Sequence, residues 1–134
     1  MADEAIEDAA EKPEGDRTIT VVAQPADTNP SGDIFGGWIL SQMDIAGGVT
    51  ADHRAKGRVA TIAVEGMVLL QPVYVGDVVC CYADIRKIGT TSIAIHIEAW
   101  ALRHDTGLDA KVTEGIFTYV AIDDHGRKRP VPPA

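Results

Sequence analysis

From Ser92 to Leu102 the chain alternates: Ile93, Ile95 and Ile97 fall on one side, His96, Glu98 and Trp100 on the other. A period of two marks a strand with two unlike faces. Four other stretches carry strand character. RTITVVAQ (17–24) is rich in β-branched residues, and Val59 to Val75 is apolar almost throughout. Val78 to Ile88 follows a Gly76–Asp77 turn, and Val112 to Ile122 ends at Asp123–Asp124–His125–Gly126. Gly89, Thr90 and Thr91 form the tight turn between the strands at 78–88 and 92–102.

The period changes at Trp38. From there to about Ala55 the spacing predicts a helix, after a loop from Pro25 to Gly37 dense in Pro, Asn, Asp and Gly. Ile39, Met43, Ala46 and Ala51 line one side, while Leu40, Ile45 and Val49 make the opposite side apolar too. Such a helix calls for burial over most of its girth. One strand, one apolar helix and four antiparallel strands satisfy that need if the sheet curls around the helix. The expected class is α+β with an enclosed helix, and the leftover apolar surface and open edges call for a partner subunit.

Composition narrows the picture. The 134 residues suffice for one core. Three parts are expected: an acidic disordered tail at 1–16, a folded domain at 17–126, and a basic, proline-rich tail at 127–134. The net charge of −8 is concentrated at the start, where residues 1–16 hold seven acids and one base. The remainder is close to balance, without the basic excess of a nucleic-acid footprint but with room for a local phosphate site. No segment reaches ~18 consecutive apolar residues, so no membrane span is expected. The acidic start is unlike a secretory leader. Cys80 and Cys81 are neighbours, which point to opposite faces of a strand and make neither a comfortable disulfide nor a metal site. They are expected to be reduced and the chain cytoplasmic.

Few chemistries survive this reading. There is no G-x-S-x-G elbow, and Ser31, Ser41 and Ser92 have no histidine at a recognisable position. His53, His96, His104 and His125 stand singly, so no metal ligand set is expected. Asp44 is different. An acid within an apolar helix costs free energy unless a cleft or a partner solvates it, so it reads either as a structural acid facing a crevice or as a catalytic one.

The motif NPSGDIFGG (29–37) opens that helix. Gly36–Gly37 reads as a tight turn, or as an exposed helix start whose free N–H groups suit a phosphate or an acyl-transfer oxyanion. GxGxxG and P-loop patterns are absent, which weakens the phosphate case. An oxyanion donor with a carboxylate is a kit for hydrolysing an activated acyl group. A thiol, with a pKa of about 8.5, leaves without a general acid, so the kit suits a thioester better than an amide.

Spacing adds a constraint. Gly37 and Asp44 lie seven residues apart, roughly 10 Å along a helix axis. They cannot both touch one carbonyl. If both act on one substrate they come from different chains, and a two-fold dimer interface is the natural place.

The stretches "DTNPSGDIFGGWILSQMDIAGG" (27–48), "GRVATIAVEGM" (57–67), "PVYVGDVVCCYADIRKIG" (72–89) and "FTYVAIDDHGR" (117–127) resemble the YciA-like acyl-CoA thioesterases, hotdog-fold hydrolases. The resemblance runs in consistent order from about residue 17 to 130. It implies a hotdog fold, an antiparallel sheet wrapped around a central helix. It implies dimers that assemble into hexamers as trimers of dimers, hydrolysis of acyl-CoA, and no metal or organic cofactor. It places the catalytic acid on Asp44, acting through water or as nucleophile. It places a substrate- or water-orienting amide on Asn29 and the oxyanion-donating N–H on Gly37. It points to Arg58, Val59 and Thr61 for the pantetheine and acyl channel, and to Lys87, Gly89, Thr90 and Ser92 near the nucleotide end. Relatives often carry an Arg where Thr90 stands, so Arg127, Lys128 or Arg129 are substitutes for that phosphate contact. Two other readings are an acyl-CoA-binding hotdog sensor and a dehydratase. The intact Asp44, Asn29 and Gly37 weigh against the sensor, and the lack of a histidine between Asn29 and Gly37 weighs against the dehydratase.

Overall fold

The computed structural model describes residues 12–134; most of the acidic stretch expected as a tail, residues 1–11, lies outside them. The chain forms strands β1 (Asp16–Val22), β2 (Val59–Glu65), β3 (Val78–Ile88), β4 (Ser92–Leu102) and β5 (Asp109–Ala121) around one long helix, α1 (Gly36–Ala55). They make a single antiparallel sheet in the order β1-β3-β4-β5-β2. The helix touches all five strands. This is the hotdog arrangement, α+β with the sheet wrapped around the helix.

Alternation decides the core. Ile93, Ile95 and Ile97 of β4 and Phe117 and Tyr119 of β5 are buried against α1, which contributes Ile39, Met43, Ala46, Gly47, Ala51 and Ala55. Each fully buried Ile is stabilising by roughly 1.5–3 kcal/mol relative to an exposed one. The opposite face of α1 stays open within this chain. Ile45 is 50% and Val49 54% exposed, and Leu40 is exposed as well. The single sheet thus meets half of the burial that the helix sequence demands.

Two element boundaries differ from the sequence reading. The helix begins at Gly36, ahead of Trp38. The strand expected over Val59–Val75 stops at Glu65, because Gly66 takes a left-handed φ of 75° and turns the chain off the edge strand. Beyond it, Leu70 N–H donates to Val112 O and the Thr113 hydroxyl donates to Val68 O, so the segment is held beside β5 outside the ladder. Cys81 is buried and Cys80 half-buried, on opposite faces of β3, and both are free thiols.

The described residues are tied down at both ends. Glu14 N–H reaches Glu98 Oε2 at 3.3 Å, and β1 begins at Asp16. At the other end Val131 packs on the core and donates its N–H to Thr90 O. The Arg129 guanidinium donates to Ile122 O and Ala55 O, joining the ends of β5 and α1. Segment 127–134 is therefore docked against the body, because one half-buried arginine supplies donors to carbonyls left open at element ends. No helix among the described residues is long and apolar enough to cross a membrane.

Candidate active site

The site grows from the meeting of α1 with β5 and β2. Thr61 and Tyr119 are cross-strand partners, so their side chains share the sheet face beneath the helix. Thr61 Oγ1 donates to Asp44 Oδ1 at 2.8 Å, and Tyr119 OH lies 2.9 Å from the same oxygen. Burial first, then the hydrogen bond and charge of Asp44, push the Tyr119 phenol well above its ordinary value. The phenol therefore stays protonated and donates. The carboxylate is gripped by one oxygen through two neutral donors, while Oδ2 has no protein partner among the described residues.

Gly47 makes this contact possible. A Cβ there would stand 2.2 Å from Tyr119 OH and 2.4 Å from Ile97 Cδ1. A glycine inside a helix is unfavourable by about 1 kcal/mol relative to alanine. Here it lets the phenol reach the helix backbone, where its OH also lies 3.1 Å from Asp44 O.

The helix mouth is built by the loop before it. Asn29 Oδ1 accepts the N–H groups of Ser31 and Asp33 at 2.9 and 3.1 Å, and Thr28 bridges Ile34. The Asn29 side chain thus shapes its own loop through its oxygen and keeps its NH2 group for other contacts. α1 starts without a side-chain cap at Phe35. Gly37, its second residue, is exposed, and its N–H has no intrahelical acceptor. A Cβ on Gly37 would meet no atom within 4 Å, whereas one on Gly36 would lie 3.1 Å from Leu69 Cδ1. The tight-turn explanation fits Gly36 better than Gly37. Because α1 is continuous from Gly36 to Ala55, Gly37 and Asp44 of one chain remain roughly 10 Å apart along its axis.

The other sequence-derived residues divide into two groups. Thr61 joins Asp44 directly. Val59 pairs with Ala121 and Ser92 with Val120, so the start of β2 and the β3–β4 turn meet at one end of the sheet. Exposed Arg58 donates to Asp123 O at 3.3 Å there. Gly89 N–H donates to Ser92 O at 2.8 Å, closing the turn that carries exposed Lys87 and Thr90. Arg129 does not belong with the phosphate candidates, because its guanidinium is spent on backbone carbonyls. Arg127 and Lys128 remain exposed at this end.

Sequence reasoning passes over Tyr119. The available signal is its position: Phe117, Tyr119 and Ala121 alternate onto the helix side of β5, and only the tyrosine brings a polar tip there.

With this geometry in place, similarity to known proteins takes on a specific meaning. The profile of the Thioesterase superfamily matches residues 31–107, spanning the loop, α1 and β2 to β4. The acyl-CoA thioester hydrolase YciA of Salmonella typhimurium is 54% identical over 123 residues, covering 90% of this chain and 92% of that protein. A crystal structure of a hexameric thioesterase from Yersinia pestis superposes with a TM-score of 0.88 at 51% identity, covering 92% of this chain and all of that one. That of a hexameric broad specificity acyl-coenzyme A thioesterase gives 0.89 at 45% identity, covering 92% and 85%.

Proposed function

The chain belongs to the Thioesterase superfamily, and from that premise we propose that it hydrolyses acyl-CoA thioesters to a free acid and coenzyme A. The observation that carries the mechanism is the half-engaged Asp44 carboxylate. Thr61 and Tyr119 hold Oδ1 and fix the group, and Oδ2 is left to act on water. Water adds to the thioester carbon and gives its proton to Asp44. The oxyanion is stabilised by Gly37 N–H at the positive end of a helix. The C–S bond then breaks, and the coenzyme A thiolate leaves and is protonated. Direct attack by Asp44 Oδ2, followed by hydrolysis of the anhydride, uses the same groups. Either route runs on protein groups alone, so no cofactor is invoked.

The ~10 Å between Gly37 and Asp44 within α1 supports a site shared between two chains. The open face of α1 and the edge strand β2, both carrying exposed apolar residues, supply the surface for that dimer. Dimers then assemble into a hexamer, as in the hexameric relatives. Arg58, Val59 and Thr61 line the way from the sheet end to Asp44. Lys87, Gly89, Thr90 and Ser92 receive the nucleotide end, and the Asn29 NH2 orients water or the thioester carbonyl. Free Cys80 and Cys81 suit a reducing compartment, the cytoplasm.

Free-thiol release across acyl-CoAs of graded length tests the reading, with Asp44→Asn as the control. Activity that Asp44→Asn abolishes is the expected result. No release from any acyl-CoA would favour an acyl-CoA-binding sensor. Mixing Asp44→Ala chains with chains bearing Gly37→Pro, which lacks the N–H, tests the shared site. Recovery of one working site per heterodimer is expected, and its absence would refute sharing.

A further inference from the structure

The face of the sheet turned away from α1 carries a second cluster. Alternation along β4 sends His96, Glu98 and Trp100 to this side, and they stay buried: His96 is 7% exposed and Glu98 2%. Glu98 Oε1 accepts the Trp100 indole N–H at 2.8 Å, and Lys111 Nζ lies 3.8 Å away. Oε2 accepts Glu14 N–H. His96 Nε2 lies 2.8 Å from Glu114 Oε1, and Glu114 also contacts Lys111. The Glu14 carboxylate gives one oxygen to Arg86, which pairs with Asp84 as well.

The orientation of His96 is the informative point. An ionised carboxylate only accepts, so the Glu114 contact makes Nε2 the donor, and in the neutral ring the lone pair then falls on Nδ1. Nδ1 is buried and has no hydrogen-bond partner among the described residues. Its neighbour is Glu98 Oε2 at 3.7 Å, beyond the 2.7–3.2 Å of a hydrogen bond. With the neutral ring, two electron-rich atoms face each other in a buried place, a contact that a metal ion bound between them relieves. Around them four carboxylates (Glu14, Asp84, Glu98, Glu114) stand against two fixed cations, Arg86 and Lys111.

The spacing admits a metal ion. Nitrogen and oxygen ligands about 2.0–2.2 Å from a tetrahedral centre stand roughly 3.4 Å from each other. One ligand atom each from Glu14, His96 and Glu98 lies within 4.8 Å of the other two. The second oxygen of Glu14 is available, because Arg86 takes only one. Glu114 provides what a metal-bound histidine ordinarily has, a carboxylate on its other nitrogen that fixes the tautomer. An imidazole with two carboxylates favours zinc-class ions over calcium or magnesium.

We propose that Glu14, His96 and Glu98 form a site for a divalent transition ion of the zinc class, with water as fourth ligand, which clasps the N-terminal segment to the central strand. The site lies across the sheet from Asp44 and takes no part in thioester chemistry. Sequence spacing hides it, because His96 and Glu98 are only an i, i+2 pair and Glu14 is distant in the chain.

The test titrates chelator-stripped full-length protein with Zn2+ by calorimetry and with Co2+ by visible absorbance. One ion per chain is expected, with Co2+ bands of a tetrahedral nitrogen–oxygen site. Glu14 is an exposed side chain, so metal-free Glu14→Gln should melt with the metal-free parent yet bind Zn2+ at least about tenfold more weakly. Glu114→Gln should weaken binding roughly 10- to 100-fold through the His96 tautomer. Saturating Zn2+ should raise the melting temperature of the parent and not of Glu14→Gln. Less than one ion per chain, a preference for Ca2+ or Mg2+, or binding undiminished in both Glu14→Gln and His96→Gln would overturn the site.

Discussion

Asp44 and Asp77 are carboxylates drawn back from bulk water and furnished in opposite ways. Asp77, 1% exposed at the corner before β3, accepts the N–H groups of Tyr74 and His104 and pairs with Arg103 at 2.8 Å. Burial alone would raise its carboxyl. The two backbone donors and the guanidinium outweigh that and hold it below its ordinary value. Both oxygens are committed to the fold. Asp44 has two hydroxyl donors on a single oxygen and no cation among the described residues. A carboxylate that holds structure is saturated, whereas one suited to proton transfer keeps an oxygen in reserve.

The contrast breaks if the two residues exchange phenotypes. Asp44→Asn keeps an acceptor for Thr61 and Tyr119 but loses the base. Thiol release should fall about 10²- to 10⁴-fold while urea denaturation shifts by less than about 1 kcal/mol. Asp77→Ala should do the reverse. It leaves Arg103 buried without its partner, costs about 3–5 kcal/mol in denaturation, and spares activity per folded molecule.

Acid sharpens the same point. The folded Asp77 titrates below its unfolded value of about 3.9, so its contribution is complete above that pH and is lost as pH falls through the lowered folded value. Melting of the parent should drop over that window, and that of Asp77→Asn should drop less. A smaller effect belongs to the grip on Asp44. Tyr119→Phe should lower kcat about tenfold by removing a hydrogen bond to a charged group. Thr61→Val should act in the same direction, and the two together by less than the product of each. The smallest effect separates neighbours. Burial, then the adjacent Cys80, pushes the Cys81 thiol up to about 12, so an alkylating reagent at pH 8 should label Cys80 in the native protein and Cys81 only after unfolding.

What the sequence reveals follows from how local the signal is. The alternation of Ile93, Ile95 and Ile97 defines β4, whose observed bounds, Ser92–Leu102, match the expected strand. The two-sided apolar helix announces both the core and the open face. Val59 to Val75 misleads because apolar content continues past Gly66, where backbone conformation ends the strand. Asp44 is visible as an acid out of place. Its grip is not, since Tyr119 and Thr61 arrive through register between β5 and β2, and Gly47 matters only once that register is known. Asn29 and Arg129 show the same limit, their side-chain contacts being set by loop closure and by docking of the chain end.

Sheet order also has a consequence in time. β1 and β2 flank the helix in sequence but occupy opposite edges of the sheet, with β3, β4 and β5 between them. Residues 16–65 therefore leave the ribosome as two outer strands whose sheet neighbours are not yet synthesised and an apolar helix still lacking β3, β4 and β5. β1 cannot pair until β3 has emerged, and β2 not until β5 has, so the sheet closes only after Ala121. Contacts so distant in sequence make folding slow and leave greasy surface waiting. The nascent chain is most in need of chaperone cover while its second half is still being made.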